Sequence, residues 1–477
     1  MKPVDSAEQV VAELPRTIWY MGVKARVIPG FLDQVLREEV PAGGTVLDLM
    51  SGTGVVAAHC ASQFRVFTND VQRYARVIAA AFVEHPPAGK EEFVDSLSFA
   101  DDIAKVFTDN LKALEIHYAE ALEREDQLLG RFADGERGED WCRAYREFLS
   151  ISGAVYGDAE KAPVDDLYSS AAPLLNEESL SKYRNDPSRR PCCLMVAYYA
   201  NIYFGLRQAI VIDSLRAAIG AIAQEAPEAE RRRVHYLSAL LHAASTSTSG
   251  TSHFAQPRHL EKDSELEAMA NRRLIDVLDL FQSFSSSISE WVRGTDFVAG
   301  NQCFAGDYRQ LLRGELGHEE KLELPGDVDL VYLDPPYTQD NYSRFYHVLE
   351  VLTQYDYPTL ERGRDGSILR GRYPAIERRF RSGFCSTRRI EEEFRTVARA
   401  AAASGSKLVI SYSHPSGLLL REYAKRQPGE DPVAMFEALF RETYREVRTE
   451  RKALMHSGQG DSNKTIDELL VICRDPR

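Results

Sequence analysis

Two short apolar segments, each followed by a tight turn, constrain the fold more than any other feature of the sequence. Residues 44–50 read GTVLDLM and are followed by residues 51–54 (SGTG), after which an alanine-rich helix is predicted. Residues 328–333 read VDLVYL and are followed by residues 334–337 (DPPY). Short apolar runs bounded by turn residues are typical of parallel strands that are buried on both faces. The two segments therefore predict an α/β fold with a mostly parallel sheet.

Further segments extend this sheet on both sides of a long helical region. FRVFT, KLVIS and LLVIC are predicted strands, whereas residues 85–295 show charge-rich helical patterns without strand–helix alternation. Alternation returns near residue 297. We therefore predict one sheet built from two separated pieces, residues 1–84 and 296–477, with residues 85–295 forming a large helical insertion.

Composition places the chain among globular proteins without settling its ligand. The chain has 477 residues, of which 44% are hydrophobic, and a formal net charge of −14, so nucleic-acid binding would need a local basic surface. The seven cysteines form no C-x-x-C pair, which favours a reducing cytoplasm over a disulfide framework. We find neither a signal sequence nor an apolar run long enough for a membrane span, and we predict no membrane partner.

The DPPY segment carries the strongest chemical indication. In open α/β sheets, ligands bind beyond the carboxyl ends of the strands, which is where Asp334 stands. The Asp334 carboxylate and the Pro335 carbonyl could accept the two hydrogens of an aromatic amine and direct its lone pair at a methyl donor. Pro336 stiffens the turn, and Tyr337 could stack on a base. The alternative is an ordinary strand-terminating turn.

The glycine loop after the first strand predicts a nucleotide-like ligand. Gly52 and Gly54 allow close approach of the backbone, and Asp70 at the end of the next strand is placed to accept ribose hydroxyls. With Ala57, the loop equally fits a dinucleotide site, and Asp70 equally fits a helix cap. Of the two readings, the dinucleotide oxidoreductase lacks any residue for hydride chemistry beside DPPY.

Taken together, these motifs resemble the Dam-like DNA adenine methyltransferases, over residues 18–84 and 297–477. The resemblance implies the Rossmann-like fold of methyltransferases that depend on S-adenosylmethionine. It also implies methylation of the N6 amine of an adenine flipped out of duplex DNA, without a metal. Met50 replaces the phenylalanine usual in the donor motif. The resemblance assigns the donor site to Tyr20, Gly22, Lys24, Asp48, Met50, Ser51, Gly52, Gly54, Asp70, Asp307 and Asp334.

Two regions are candidates for DNA contact. By the motif order of the family, the insertion is the target-recognition domain, with Ser249, His253, Gln256 and Arg258 as polar candidates or as ordinary loop residues. Between residues 361 and 389, nine arginines stand against three acidic residues, and arginine suits phosphate. The alternative is a solvated basic face that pairs with acidic helices. The arginines that we predict to bind DNA are Arg370, Arg372, Arg378, Arg379 and Arg381.

Other functions remain open at the level of the sequence. The same fold could methylate an RNA adenine or a cytosine amine, although the resemblance associates Asp334 with adenine. A non-catalytic DNA-recognition subunit with a relict donor pocket is a further alternative. The resemblance is also compatible with other subunits of a restriction-modification or defence system as partners.

Overall fold

A seven-stranded sheet organises the protein. The computed structural model describes residues 14–18, 24, 27–86, 88–152, 177–186, 192–222, 227–250, 253–312, 328–456 and 464–477. Its strands are β1 (Thr45–Asp48), β2 (Arg65–Asp70), β3 (Gln302–Ala305), β4 (Leu330–Leu333), β5 (Lys407–His414), β6 (Tyr444–His456) and β7 (Lys464–Pro476). They lie in the order β3-β2-β1-β4-β5-β7-β6. The pairings among β1 to β5 are parallel, and β7 runs antiparallel to both β5 and β6. The predicted α/β fold with a mostly parallel sheet is confirmed.

The central strands are apolar because both faces of the sheet are covered. Successive side chains of a strand point to opposite faces, and in β1 Val46 belongs to one buried cluster while Leu47 belongs to another. In β4, Leu330 and Val331 divide in the same way. Burial on both faces explains why these strands could be recognised as continuous apolar runs.

Helices follow the strands and fill the long segment between β2 and β3. The first are α1 (Asp33–Glu39), α2 (Val55–Cys60) and α3 (Arg73–Val83). The segment contains α4 (Lys90–Asp95), α5 (Phe99–Asp102), α6 (Ala104–His117), α7 (Ala119–Ala133), α8 (Glu139–Ser152), α9 (Glu177–Asn185), α10 (Leu194–Tyr199), α11 (Leu206–Ala221), α12 (Pro227–Ser247), α13 (Asp263–Arg273) and α14 (Val277–Gly294). After β3 come α15 (Tyr308–Leu312), α16 (Tyr342–Phe345), α17 (His347–Gln354), α18 (Ile390–Ala403), α19 (Leu418–Arg426) and α20 (Pro432–Arg441).

The long helical segment shares a core with the sheet. Ile210 of α11 and Leu240 of α12 are buried in the same cluster as Val46 and Val66 of the sheet. Phe394 of α18 lies in the cluster on the opposite face. Helices of this segment, among them α11 and α12, therefore cover one face of the sheet, whereas α8 and α13 pack with α7 in a separate cluster. The boundaries at residues 84 and 295, and a recognition role for the segment between them, stay predictions.

None of the helices that the structure describes combines the length and apolar character needed to span a bilayer.

Strand β4 places DPPY beside the glycine loop. Parallel pairing aligns Asp48 with Tyr332, and the Leu49 N–H donates to the Tyr332 carbonyl over 3.0 Å. Parallel strands end at the same edge, so Asp48 and Asp334 lie at one edge of the sheet although they are far apart in the sequence. Asp70 ends β2, the other neighbour of β1, at this edge.

Gly54 is a test of the packing behind the glycine loop. Its φ is +73°, and a Cβ at this position would lie 2.6 Å from the Ala79 Cβ of α3. At Gly405, φ is +76°, but a Cβ there would meet nothing within 4 Å. We expect Gly405→Ala to lower the free energy of unfolding by about 1–2 kcal/mol through backbone strain. Gly54→Ala should lower it by about 1–3 kcal/mol more through overpacking.

Urea denaturation of the two variants measures this difference. Equal losses of stability would contradict a close approach of the glycine loop to α3.

Candidate active site

A cavity opens at the carboxyl edge of β1, β2 and β4. Its volume is about 1110 Å³, including the solvent at its mouth. Every residue of DPPY lines it. The predicted site residues in its wall are Lys24, Asp48, Met50, Ser51, Gly52, Asp70, Asp334, Pro335, Pro336 and Tyr337.

Two predicted donor-site residues, Gly54 and Asp307, lie outside the cavity wall. Gly54 is not part of the cavity wall and instead allows the close approach to α3. The Asp307 carboxylate accepts the backbone N–H of Arg309 over 3.0 Å at the start of α15, while its neighbours Gly306 and Tyr308 line the cavity. Tyr20 and Gly22 lie outside the described residues. A role of Asp307 towards the donor stays a prediction.

Asp70 is held by the loops around it. Its carboxylate accepts the N–H of Gly52 over 3.1 Å and the N–H of Gln72 over 2.8 Å. Burial raises the pKa of Asp70 to about 6, and these backbone donors lower it in part. Asp70 does not cap α3, whose N-cap is Gln72 without a side-chain hydrogen bond. Its contacts fix the carboxylate at the cavity wall instead.

Asp48 is a buried carboxylate without a protein partner. It is 1% exposed, and neither carboxylate oxygen has a hydrogen-bond partner among the described residues. Burial raises the pKa of Asp48 well above its usual value, and the charges of Asp334 and Asp70 raise it further. Since a buried unpaired carboxylate is unfavourable, this wall of the cavity suits a cation or a hydrogen-bond donor on a ligand.

The catalytic loop candidate is part of a buried charge cluster. The Lys24 ammonium lies 3.0 Å from a carboxylate oxygen of Asp334 and 3.0 Å from one of Glu468. The Tyr337 hydroxyl lies 2.8 Å from the same two oxygens, and Lys24 also donates to it. We name Lys24, Asp334, Tyr337 and Glu468 the acidic cluster.

The protonation of the acidic cluster follows from its burial and its charges. Burial raises the pKa of Asp334 to about 6; Lys24 opposes this rise and Glu468 adds to it. Burial alone would lower the pKa of Lys24, but Asp334 and Glu468 raise it above its ordinary value. Lys24 is therefore an ammonium and Asp334 is mostly ionised at neutral pH.

Tyr337 is fixed on three sides. Its backbone carbonyl accepts the N–H of Leu418 over 2.9 Å, at the start of α19. Its ring contacts the Tyr412 ring at 5.2 Å between centroids and an angle of 81°, and the Lys24 ammonium lies 4.5 Å from its centroid. The aromatic wall of DPPY is therefore rigid before any ligand enters.

Comparison with known proteins connects this geometry to a family. Residues 309–365, which include β4, DPPY and α16, match the family described as D12 class N6 adenine-specific DNA methyltransferase. The chain is also similar to the modification methylase LlaI of Lactococcus lactis subsp. lactis, with 23% identity over 460 residues. That alignment covers 95% of this chain and 54% of the relative, so the chain spans about half the length of that protein.

Both similarities bear out the predicted resemblance to adenine-specific DNA methyltransferases.

Several residues of the site had no motif to reveal them. Glu468 belongs to the acidic cluster but not to the cavity wall. It lies in β7, directly before the apolar residues 469–473, and from the sequence it could have been any surface carboxylate. Asn69, directly before Asp70, donates through its amide to the carbonyls of Leu49 and Gly306, over 3.3 and 3.1 Å. A polar amide at the end of an apolar strand was a signal that could have been used. Also in the wall are Tyr308, Tyr332, Tyr342, Ser343, Phe380, Ser382 and Cys385.

The predicted DNA-binding arginines separate into paired and exposed side chains. Arg378 forms an ion pair with Asp356, and Arg379 forms one with Glu361 over 2.5 Å. Arg372 is 4% exposed, so its side chain is not on the surface that DNA could reach. Arg378 and Arg379 are thus paired with acids, as the alternative of a basic face that pairs with acidic residues predicts, whereas Arg372 is buried.

Three of the predicted arginines are exposed, namely Arg370, Arg381 and the ion-paired Arg378. Arg370 is exposed and donates to the backbone carbonyl of Arg258. Arg381 is exposed between the cavity residues Phe380 and Ser382, and it forms no ion pair with any residue that the structure describes. Arg381 is therefore the member of this group best placed for phosphate.

The candidates from the insertion divide in the same way. Ser249 is buried and donates its hydroxyl to the Tyr203 carbonyl over 3.0 Å. Arg258 pairs with Glu265 over 2.5 Å. His253 is half-buried, with its ring 4.6 Å from that of Phe345, whereas Gln256 is exposed. Ser249 and Arg258 thus have structural contacts, and Gln256 keeps a free surface.

Asp48 provides a test of the cavity. We expect Asp48→Asn to weaken binding of the predicted donor at least about tenfold, through loss of a charged acceptor. The same change should stabilise the ligand-free protein at neutral pH. Because the pKa of Asp48 is higher in the folded protein than in the unfolded chain, Asp48 lowers the free energy of unfolding at pH values above its ordinary pKa. The asparagine amide does not ionise and so removes this loss.

Titration calorimetry with S-adenosylmethionine and urea denaturation measure the two effects. Asp329→Asn is the matched control, because Asp329 accepts the Thr45 N–H over 2.8 Å and lies outside the cavity wall. It should lower stability and leave the affinity unchanged. Unaltered donor affinity in Asp48→Asn would exclude Asp48 from the binding site.

Proposed function

We propose that this chain transfers the methyl group of S-adenosylmethionine to the N6 amine of adenine in DNA. The observation that carries the proposal is the position of Asp334, in a DPPY segment that lines the same cavity as the unpartnered carboxylate of Asp48. The matched family and the relative that is named a modification methylase support the same activity. By the same support, we propose that it acts at a specific site within a modification or defence system.

The donor half of the cavity fits S-adenosylmethionine. Asp48 offers an acceptor to the donor's cationic groups, and Asp70 offers one to its ribose hydroxyls. The backbone at Gly52, with φ of +52°, lets the loop turn close to the ligand. When bound, the donor supplies an electrophilic methyl group on a sulfonium. The chain's residues hold and align it.

The acceptor half fits an aromatic amine. The lone pair of such an amine is conjugated with the ring and is therefore a weak nucleophile. The Asp334 carboxylate and the Pro335 carbonyl would accept its two hydrogens and free the lone pair for attack. The nitrogen gains the methyl group, the carbon–sulfur bond breaks, and its electrons stay on sulfur. Alignment supplies much of the rate.

One amine proton must leave after the transfer. The methylated nitrogen carries a positive charge, so its proton is acidic, and the Asp334 carboxylate already accepts a hydrogen bond from it. Asp334, with a pKa of about 6, can take this proton and release it to water at neutral pH. A separate general base is not needed.

DNA must deliver the adenine to this cavity. A base within a duplex has to be rotated out of the stack to reach a buried amine acceptor. Phe380 lines the cavity, and its carbonyl accepts the Ser343 hydroxyl over 2.7 Å. This contact joins the arginine-containing segment to α16, directly after DPPY. Arg381 follows Phe380 and is placed to hold the backbone of the flipped strand.

Asp334 tests the chemistry. We expect Asp334→Asn and Asp334→Ala to lower single-turnover methyl transfer to duplex DNA at least about 100-fold, because the charged acceptor of the amine is lost. In the unchanged protein the rate should fall as the pH drops through about 6, since protonated Asp334 no longer accepts. The exposed Asp340, in Asp340→Ala, is the control and should keep its rate.

Labelled S-adenosylmethionine and base analysis after nuclease digestion provide the measurement. N6-methyladenine in DNA is the expected product. Methylcytosine, or a product only with RNA, would replace the proposed acceptor by one of the alternatives. Donor binding without any transfer would favour the recognition subunit.

Arg381 tests the DNA contact. We expect Arg381→Ala to weaken binding to duplexes of any sequence and to reduce the salt dependence of binding by about one phosphate contact. Arg399→Ala on α18 is the control, since Arg399 is 61% exposed but lies outside the cavity wall. Anisotropy titrations at several salt concentrations measure both. Identical salt slopes for the two variants would refute this contact.

A further inference from the structure

Glu468 is a buried acid that no sequence motif assigns to the site. It lies in β7, in register with Ser413 of β5, and is 3% exposed. One carboxylate oxygen receives the Lys24 ammonium at 3.0 Å and the Tyr337 hydroxyl at 2.8 Å. The same oxygen accepts the hydroxyl of Ser411. A strand outside the parallel part of the sheet thus adds a second negative charge beside Asp334.

The charges of the acidic cluster do not cancel. Asp334 and Glu468 carry two negative charges, and Lys24 carries one positive charge at 3.0 Å from each. Without Glu468, Lys24 and Asp334 would form a neutral pair. Positive charge grows on the amine nitrogen during methyl transfer. An Asp334 whose negative charge is balanced by Lys24 would stabilise that positive charge less in this buried setting.

The Tyr337 hydroxyl indicates that Glu468 and Asp334 have different roles. It has one hydrogen and lies 2.8 Å from an oxygen of each acid, so it donates to one of them at a time. Glu468, which also receives Ser411, can take this hydrogen. Asp334 is then left with Lys24 as its donor and with capacity for the substrate amine.

We propose that Glu468 is a positioning residue that acts as the counter-charge of Lys24 and anchors the Tyr337 hydroxyl, so that Lys24 does not cancel the charge of ionised Asp334 that faces the amine. This role rests on the proposed methyl transfer. It requires no contact between Glu468 and either substrate.

The pH dependence of the rate separates this role from simple packing. Transfer requires ionised Asp334. Glu468 raises the pKa of Asp334, and Lys24 lowers it. Glu468→Gln should therefore move the acidic limb of the single-turnover rate to lower pH and reduce the plateau rate at least tenfold. Lys24→Met should move the acidic limb to higher pH. In the double variant the limb should lie between those of the two single variants, and the plateau rate should exceed that of Glu468→Gln alone.

The measurement uses the full chain, saturating S-adenosylmethionine and duplex DNA, with melting temperatures recorded for each variant. Glu450→Gln on β6 is the control, because Glu450 is 35% exposed and contacts Arg448 instead of the acidic cluster. It should reproduce the unchanged profile. If Glu468→Gln does not fold, Glu468→Asp decides: its withdrawn carboxylate should move the limb in the same direction by less.

Three results would overturn the role. The first is an acidic limb of the rate that stays at the same pH in Glu468→Gln, and the second is a shift of that limb to higher pH. The third is a double variant whose plateau rate is as slow as that of Glu468→Gln alone. An unchanged protein that transfers no methyl group would refute the proposed function and this role with it. An active protein whose Glu468 variant behaves like Glu450→Gln would refute this role alone.

Discussion

The pairing of β1 with β4 is the constraint on which the site depends. Each strand is a short apolar segment, buried on both faces, and the two lie far apart in the sequence. Their parallel register sets Asp48 opposite Tyr332, two residues before Asp334. A slip of one residue would exchange the faces of β4 and turn its side chains into the wrong cluster. The same burial that makes these strands recognisable therefore fixes the distance between the donor loop and DPPY.

The pairing of β1 with β4 brings several carboxylates together at the carboxyl edge of the sheet, where their burial does not stabilise the folded protein. Asp48, Asp70 and Asp334 all have pKa values that burial raises. Lys24 contacts Asp334 and Glu468, and Asp48 has no partner among the described residues. Such a site lowers the stability of the free protein and suits a ligand that is cationic at one end and rich in hydrogen-bond donors. Function and stability oppose each other at this edge, as is common at active sites.

The sequence predicted what depends on local pattern and missed what depends on tertiary register. The strands that lead to Asp48 and Asp334 were predictable because they are apolar on both faces, and the residues that match the D12 class family include DPPY. Glu468 was not predictable, because only the antiparallel position of β7 beside β5 brings it to Lys24. The arginine count between residues 361 and 389 likewise predicted the net charge of that segment, but it did not predict which acidic residues pair with its arginines. Arg378 and Arg379 form ion pairs with Asp356 and Glu361, and the Arg379 side chain is 8% exposed, whereas Arg378 stays at the surface.

The two segments predicted to contact DNA are attached to each other and to the catalytic loop. The Phe254 N–H donates to the Phe345 carbonyl over 2.9 Å, at the end of α16. Arg370 donates to the Arg258 carbonyl, and the Tyr373 hydroxyl donates to that of Ala255. The exposed residues Gln256 and Arg370 therefore lie in segments that hydrogen bonds join to each other and to α16, the helix that follows DPPY.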